Sequence, residues 1–193
     1  MGRPTSDIAF TPSVKAIQTA KGSRDNYAKV EEGGAWDTKV TPRLEAFISE
    51  LDMFYFGTAN AEGQPYIQYR GGQPGFLKVI DEKTLGFADF RGNRQYITTG
   101  NLAENPKAYI FLMDYVNSRR MKVWGTAKVV EDDPDLLERA VVFTIEAWDV
   151  NCPQHIHKRA VQSDIAPAIE ALQAQVRELQ EKLAKYEDSA VLV

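Results

Sequence analysis

Arg91, Gly92, Asn93, Arg94 and Gln95 stand in succession in a chain whose net charge is negative. They place two guanidinium groups, a glycine and two side-chain amides directly behind Phe87–Phe90, an apolar run that reads as the end of a strand. Arginine meets phosphate in fork geometry, and consecutive backbone amides around a glycine add donors. A helix starting just beyond the turn would bring the positive end of its dipole to the same place. The same residues also read as a solvated turn whose arginines pair with Asp89 or Glu104. Residue types alone leave both readings open.

A second cluster is "WDVNCPQHIH", 148–157. Trp148 ends an apolar strand and offers a flat stacking surface. Asn151, Gln154 and His155 supply donors and acceptors suited to the rim of a polar heteroaromatic ring. The alternative is a strand exit whose polar groups cap local backbone. Cys152, His155 and His157 also make three ligand types in six residues, but the spacing is not that of a zinc site and no second ligand cluster appears, so no metal is assigned. Other chemistries lack their motifs: there is no G-x-S-x-G, no H-E-x-x-H and no phosphate-binding G-x-x-x-x-G-K. The acidic pair Asp132-Asp133 reads as a helix cap.

Composition narrows the partners. The chain has 193 residues, with 23 Lys and Arg against 27 Asp and Glu, a formal charge of −4. Nucleic acid wants a broad basic surface, so the basic cluster suits one small anion better than a polymer. Cys152 is the single cysteine, which leaves no internal disulfide and points to a reducing compartment. No apolar run approaches the ~20 residues of a membrane span, and "MGRPTSDIAF" lacks a signal segment. A cytoplasmic protein is expected.

The elements that must position these groups follow from patterning. "TPRLEAFISEL" reads as a helix, with Thr41 as cap, Pro42 in the first turn, and Leu44, Phe47, Ile48 and Leu51 on one face. Strands are expected at 53–59, 66–70, 76–80, 84–90, 107–115, 121–130 and 141–148, rich in aromatic and β-branched residues. Short helices are expected in "QYITTGNLAEN", ended by Asn105-Pro106, and in "DDPDLLERA", capped by Asp133 with Pro134 next. Many short strands with few helices between them argue a mainly β, antiparallel, barrel-like sheet. The absence of βαβ alternation and of G-x-G-x-x-G argues against a dinucleotide fold.

Three segments result: a lead-in at 1–40, a barrel at 41–160 and a tail at 161–193. The lead-in shows no sustained periodicity, and only a short helix around 23–31 is expected. In the tail, Ile165, Ile169, Leu172, Val176, Leu179, Leu183 and Tyr186 alternate spacings of four and three, a coiled-coil seam over about three heptads. It suits pairing with another subunit, packing on the barrel, or a surface helix without a partner.

Taken in order, "GQPYIQYRG", "LGFADFRGNRQYITTGNLAENPKAYIFLMDY", "RRMKVWGTAKVVE" and "WDVNCPQHI" resemble the pyridoxamine 5′-phosphate oxidase-related family of FMN-binding split barrels, from about Leu51 to His155. The resemblance implies that the turn holds the phosphate of FMN. Gly92, Asn93, Arg94 and Gln95 stand where that family often has Gly-Ser-Arg-Lys. Asn93 thus replaces a hydroxyl and Gln95 a lysine, and the missing charge falls to Arg91 or Arg70. Gln68 and Arg70 match the strand that lines the flavin, Phe90 leads into the turn, and Arg120 matches a polar flavin contact. Trp148 and Gln154 match a late segment that reaches a flavin held mainly by the other subunit of a homodimer.

The expected activity is hydride transfer through flavin N5 to or from a small molecule, with a nicotinamide as one electron donor. No side chain is required as acid or base; His155 is the one candidate with a suitable pKa. The oxidase itself ends with basic residues, whereas this chain continues into a helix, so oxidation of vitamin B6 is not the default. Competing expectations are a non-catalytic flavin-binding or sensor module, the same barrel using F420 or haem, and a structural protein with an empty barrel.

Overall fold

The sequence TPRLE at 41–45 opens a helix for a stated reason: the Thr41 side chain accepts a hydrogen bond from the Leu44 amide, and Pro42 takes a position whose N–H has no helical partner. In the computed structural model, which describes residues 3–90, 92–131 and 139–191 (side chains of 186–191 excepted), this helix, α3, runs Pro42–Glu50. It drives Leu44, Phe47 and Ile48 into the core. Each such burial stabilises by about 1.5–3 kcal/mol.

The strands are β1 (Met53–Ala59), β2 (Pro65–Gly71), β3 (Lys78–Val79), β4 (Thr84–Ala88), β5 (Lys107–Asp114), β6 (Arg119–Glu131) and β7 (Arg139–Val150). They form one antiparallel sheet in the order β2-β1-β5-β6-β7-β4-β3. This is the mainly β, antiparallel, barrel-like sheet expected from the patterning, and the split barrel that the resemblance implies. Its interior is filled by Phe54, Phe56, Leu85, Ile110, Leu112, Val123, Val141 and Phe143, all fully buried. The pairing of β6 with β7 slips at Trp124/Gly125. Gly125 is obligatory there, since a Cβ would stand 2.0 Å from the Thr144 carbonyl oxygen. A bulge of this kind bends the strand and helps the sheet curl.

Several boundaries differ from expectation. The strand expected at 76–80 shrinks to two paired residues, and the one expected at 84–90 ends at Ala88. Asp133 and Pro134, in the helix expected after β6, lie outside the described residues; Arg139 and Ala140, assigned to that helix, instead open β7. The lead-in is more ordered than its sequence suggested. A 3-10 turn at Thr5–Ile8 precedes α1 (Pro12–Ala20) and α2 (Arg24–Glu32). Helix α1 uses the same Thr-Pro start as α3, with Thr11 accepting from Val14, but it buries only Gln18.

The lead-in is tied to the sheet. Asp37 bridges to Trp148, Trp36 stacks on Trp124 at 4.6 Å, and Thr5 brackets Trp36 with two hydrogen bonds. Helix α4 (Ile97–Glu104) follows β4 and its turn. It is fixed to β1 by the buried bond from Asn101 Nδ2 to Thr58 Oγ1, 3.0 Å. The tail forms α5, Gln162–Val191, a single helix with Pro167 inside it. No helix among the described residues is long and apolar enough to cross a membrane.

Candidate functional site: a basic cleft beside the start of a helix

Strand β2 alternates strictly, so Tyr66, Gln68 and Arg70 share one face while Ile67 and Tyr69 point to solvent. That face forms one wall of a cleft of about 650 Å³, whose other walls are the end of β4, the turn 92–96, the first turn of α4 and Arg139 from β7. Of the residues singled out from sequence, Gln68, Arg70, Phe90, Asn93, Arg94 and Gln95 line this one cleft. Arg91 lies outside the described residues.

The wall is locked by one carboxylate. Asp89, buried, accepts from Arg70 Nη1 at 2.7 Å and pairs with Arg139 Nη2 at 3.0 Å. The Arg70 guanidinium also lies over the Phe87 ring at 5.4 Å, and that of Arg139 over the Tyr96 ring at 5.3 Å. Gln68 is oriented by Thr98, whose hydroxyl donates to Gln68 Oε1 at 3.1 Å. The described lining thus carries three guanidinium groups, Arg70, Arg94 and Arg139, against the single carboxylate of Asp89, a charge of +2 among these residues.

The expected alternative, in which the turn's own arginines pair with Asp89 or Glu104, is not what forms at Arg94. Asp89 is taken by Arg70 and Arg139, and Glu104 accepts from the Ala61 amide at 3.2 Å. Arg94 is exposed and has no ion-pair partner among the described residues. Its backbone is left-handed, φ +61°, as is that of Tyr96, φ +53°. For non-glycine residues this conformation costs free energy and persists only where the surroundings impose it. Asn93 helps impose it, because its side-chain oxygen accepts from the Gln95 amide at 3.2 Å. Tyr96 then stands as the N-cap of α4 with no side-chain cap bond, so the first amides of that helix face the cleft unclaimed by a capping side chain.

These donors fit a phosphorylated ligand. Among the described residues Arg94 has no ion-pair partner, the start of α4 has no side-chain cap, and buried Arg70 Nε has no acceptor. An anion of fixed shape satisfies all three kinds of group. The described lining contains no His, Cys, Lys or Glu. What the described lining supplies is binding, orientation and electrostatics.

The second cluster sits elsewhere. Strand β7 is 12 residues long, roughly 40 Å of strand, with Arg139 at its cleft end and Trp148 near the other. Arg120, Gln154 and His155 belong to that far end and do not line the cleft; Arg120 Nε donates to the Cys152 carbonyl at 2.9 Å. Trp148 requires a correction. It is 4% exposed, its indole N–H donates to the Lys39 carbonyl at 2.8 Å, and its ring belongs to the core. It offers no face for stacking because the lead-in covers it. Among the described residues no three acidic, His or Cys side chains gather as a metal site.

Sequence reasoning missed Arg139, Tyr66, Tyr96 and Thr98. Arg139 had no local signal: it reaches Asp89 only because Ala88 pairs with Ala140 across fifty residues of chain. Tyr66 and Thr98 could have been found from the period of two along β2 and from the helix start beside the turn.

The model of the family described as pyridoxamine 5′-phosphate oxidase matches residues 40–182, well over half the chain. No curated protein matches the sequence. Among solved structures, HupZ of Group A Streptococcus is similar at 17% identity and TM-score 0.47, covering 58% of this chain and 99% of its own. A pyridoxamine 5′-phosphate oxidase-like protein of Lactobacillus delbrueckii is similar at 20% identity and TM-score 0.47, covering 58% and 95%. An FMN-binding protein of Syntrophomonas wolfei is similar at 13% identity and TM-score 0.45, covering 69% and 97%. The match over 40–182 spans the barrel and every described wall of the cleft, and the chain belongs to the pyridoxamine 5′-phosphate oxidase family.

Proposed function

We propose that the protein is an FMN-dependent oxidoreductase, a homodimer that holds the flavin phosphate at the turn 92–95 and exchanges hydride with a small molecule or a nicotinamide donor. The observation that carries this reading is Arg94: an uncommitted guanidinium in an imposed left-handed turn, beside the uncapped start of α4. FMN, when bound, supplies hydride exchange at flavin N5. The chain's own residues bind and orient. Arg94, Asn93, Gln95 and the first amides of α4 meet the phosphate; Arg70, clamped by Asp89, and Gln68, held by Thr98, present fixed donors along the wall. Phe90, 72% exposed, gives apolar cover at the mouth.

Arg120, Gln154 and His155 lie at the far end of β7 from their own cleft, which supports a site completed by the partner subunit. In this reading His155 is the candidate for handling a proton at the flavin rim. A reducing cytoplasm with abundant nicotinamide is the matching compartment.

The absorbance spectrum of the purified protein and the mass of its released ligand test the cofactor; a bound F420 or haem would overturn FMN. Turnover of NADH or NADPH with an artificial acceptor supports the enzyme, whereas tight FMN binding without turnover of any donor makes the protein a flavin-binding module. Subunit exchange tests the shared site. Arg94→Ala and Gln154→Ala protomers, mixed, should regain part of their FMN affinity, because each mixed dimer then has one intact site. If mixing restores nothing, each site lies within one chain.

A further inference from the structure

We infer that α5 pairs with α5 of a second copy as a parallel, in-register, two-stranded coiled coil. Every residue from 167 to 185 is exposed, so the helix lies free of the barrel along this length. Its apolar side chains nevertheless fall on one seam: Ile165, Ile169, Leu172, Val176, Leu179 and Leu183 are 42–64% exposed. A continuous apolar seam of about 27 Å is not a stable thing to leave in water.

The residues on the seam specify what covers it. Spacings of four and three give two alternating positions. One is taken by Ile169, Val176 and Leu183, the other by Ile165, Leu172 and Leu179. In the two central repeats, Ile169 with Leu172 and Val176 with Leu179, a β-branched residue at the first position and leucine at the second favour two parallel strands over three or four; the end residues Ile165 and Leu183 do not follow this rule. The flanks agree, since Ala166, Ala168, Gln173, Gln175 and Gln180 place no like charges against each other in a symmetric pair. Glu170, Arg177, Glu178 and Glu181 face away from the seam, and Lys182, the one charged flank between 166 and 182, is held by Glu178 of its own helix at 2.6 Å. A different protein partner would be selected by flanking charges; flanks with the single charge of Lys182, already paired within its own helix, suit an identical helix. Pro167 stands on the outward face near the helix start, so it does not interrupt the seam.

Two identical helices in parallel register are related by a two-fold axis running between them and along them. The same axis must relate the two barrels. Three heptads are marginal alone, so pairing of the tails draws on the high effective concentration that a barrel contact provides. The inference extends the homodimer proposed above, but its test reads helix pairing directly and does not depend on FMN.

The experiment replaces Cys152, the only cysteine, by serine and introduces one cysteine at a time into the full chain: Leu172→Cys, Leu179→Cys and, on the outward face, Glu181→Cys. These positions are exposed, so the fold is not at risk. Under oxidised glutathione, Leu172→Cys and Leu179→Cys should each give a disulfide-linked dimer, at least 10-fold faster than Glu181→Cys. Only a parallel, in-register pair lets both residues meet their own copy. In an antiparallel pair centred between them, like residues stand about 10 Å apart along the axis, too far for a disulfide. Cross-linking only when the two variants are mixed, cross-linking at one position alone, equal rates at Glu181→Cys, or none at all would each overturn the inference.

Discussion

Two regions of the molecule gather charge, and they do so in opposite ways. In the lead-in, Asp7 binds Arg3 and Lys15, while Glu31 binds Arg24, Lys15 and the Ser6 hydroxyl; Arg24 also donates to Gln18 at 2.6 Å. Each base of this network, Arg3, Lys15 and Arg24, has an acid partner. In the cleft, Arg70 and Arg139 share Asp89, Arg94 has no ion-pair partner among the described residues, and Arg70 Nε has no acceptor. The charges of the lead-in network are matched to one another, and those of the cleft are not. The difference teaches that a ligand site is marked by donors the fold leaves unsatisfied, not by the number of charges gathered.

The comparison can be broken at the closed end first. Trp148→Ala should cost about 3–5 kcal/mol, because it empties the core and abandons the Lys39 carbonyl. For a chain of this size that is roughly 6–20 °C in Tm. A variant that melts like the parent would return Trp148 to the surface. Next comes the open end. Arg94→Ala should weaken FMN binding about 10- to 150-fold, the loss of a charge-assisted contact worth about 1.5–3 kcal/mol, while Tm without ligand stays within a few degrees of the parent. Unchanged FMN affinity in a titration would remove the turn from the phosphate site.

Glu31→Gln should do the converse of Arg94→Ala. It leaves Arg24 and Lys15 short of a partner and costs about 1 kcal/mol, with a Tm lower by roughly 2–4 °C and FMN affinity unchanged. A loss of FMN affinity here would show that the two regions are coupled. The smallest effect is a pH dependence. Hydrogen bonds from Lys15, then Arg3, hold the Asp7 carboxyl below its usual 3.8. A depressed folded-state pKa means that the contribution is complete above 3.8 and is lost as pH falls through the lower folded value. Asp7→Asn should therefore melt below the parent at pH 6, and the gap should close on acidification below pH 3.8. A gap that stays constant to pH 2 would show that the ion pair contributes nothing.

Legibility tracked how local the cause was. Strand β1 was read at its observed bounds, because its Met-Phe-Tyr-Phe run is followed at once by a turn. Helix α3 and the stop at Asn105-Pro106 were read from caps and proline, which act within four residues. The donors of the turn were visible as residue types, and their freedom was not. Whether Arg94 is paired depends on Asp89 being taken by Arg70, nineteen residues back, and by Arg139, fifty residues on. Trp148 was misread for the same reason. As a strand end it looks open, and it is closed by Asp37 and Lys39 from the far side of the chain.

The stack of Trp36 on Trp124 has a practical corollary. The chain has three tryptophans, and all of them sit where the lead-in meets the sheet: Trp36 lies against Trp124, and Trp148 is tied to Asp37 and Lys39. The cleft is lined by tyrosine and phenylalanine instead. Intrinsic fluorescence excited at the indole band is thus an optical window onto one seam of the molecule. It reports the lead-in lifting from the barrel, and it carries no direct signal from the turn at 92–96.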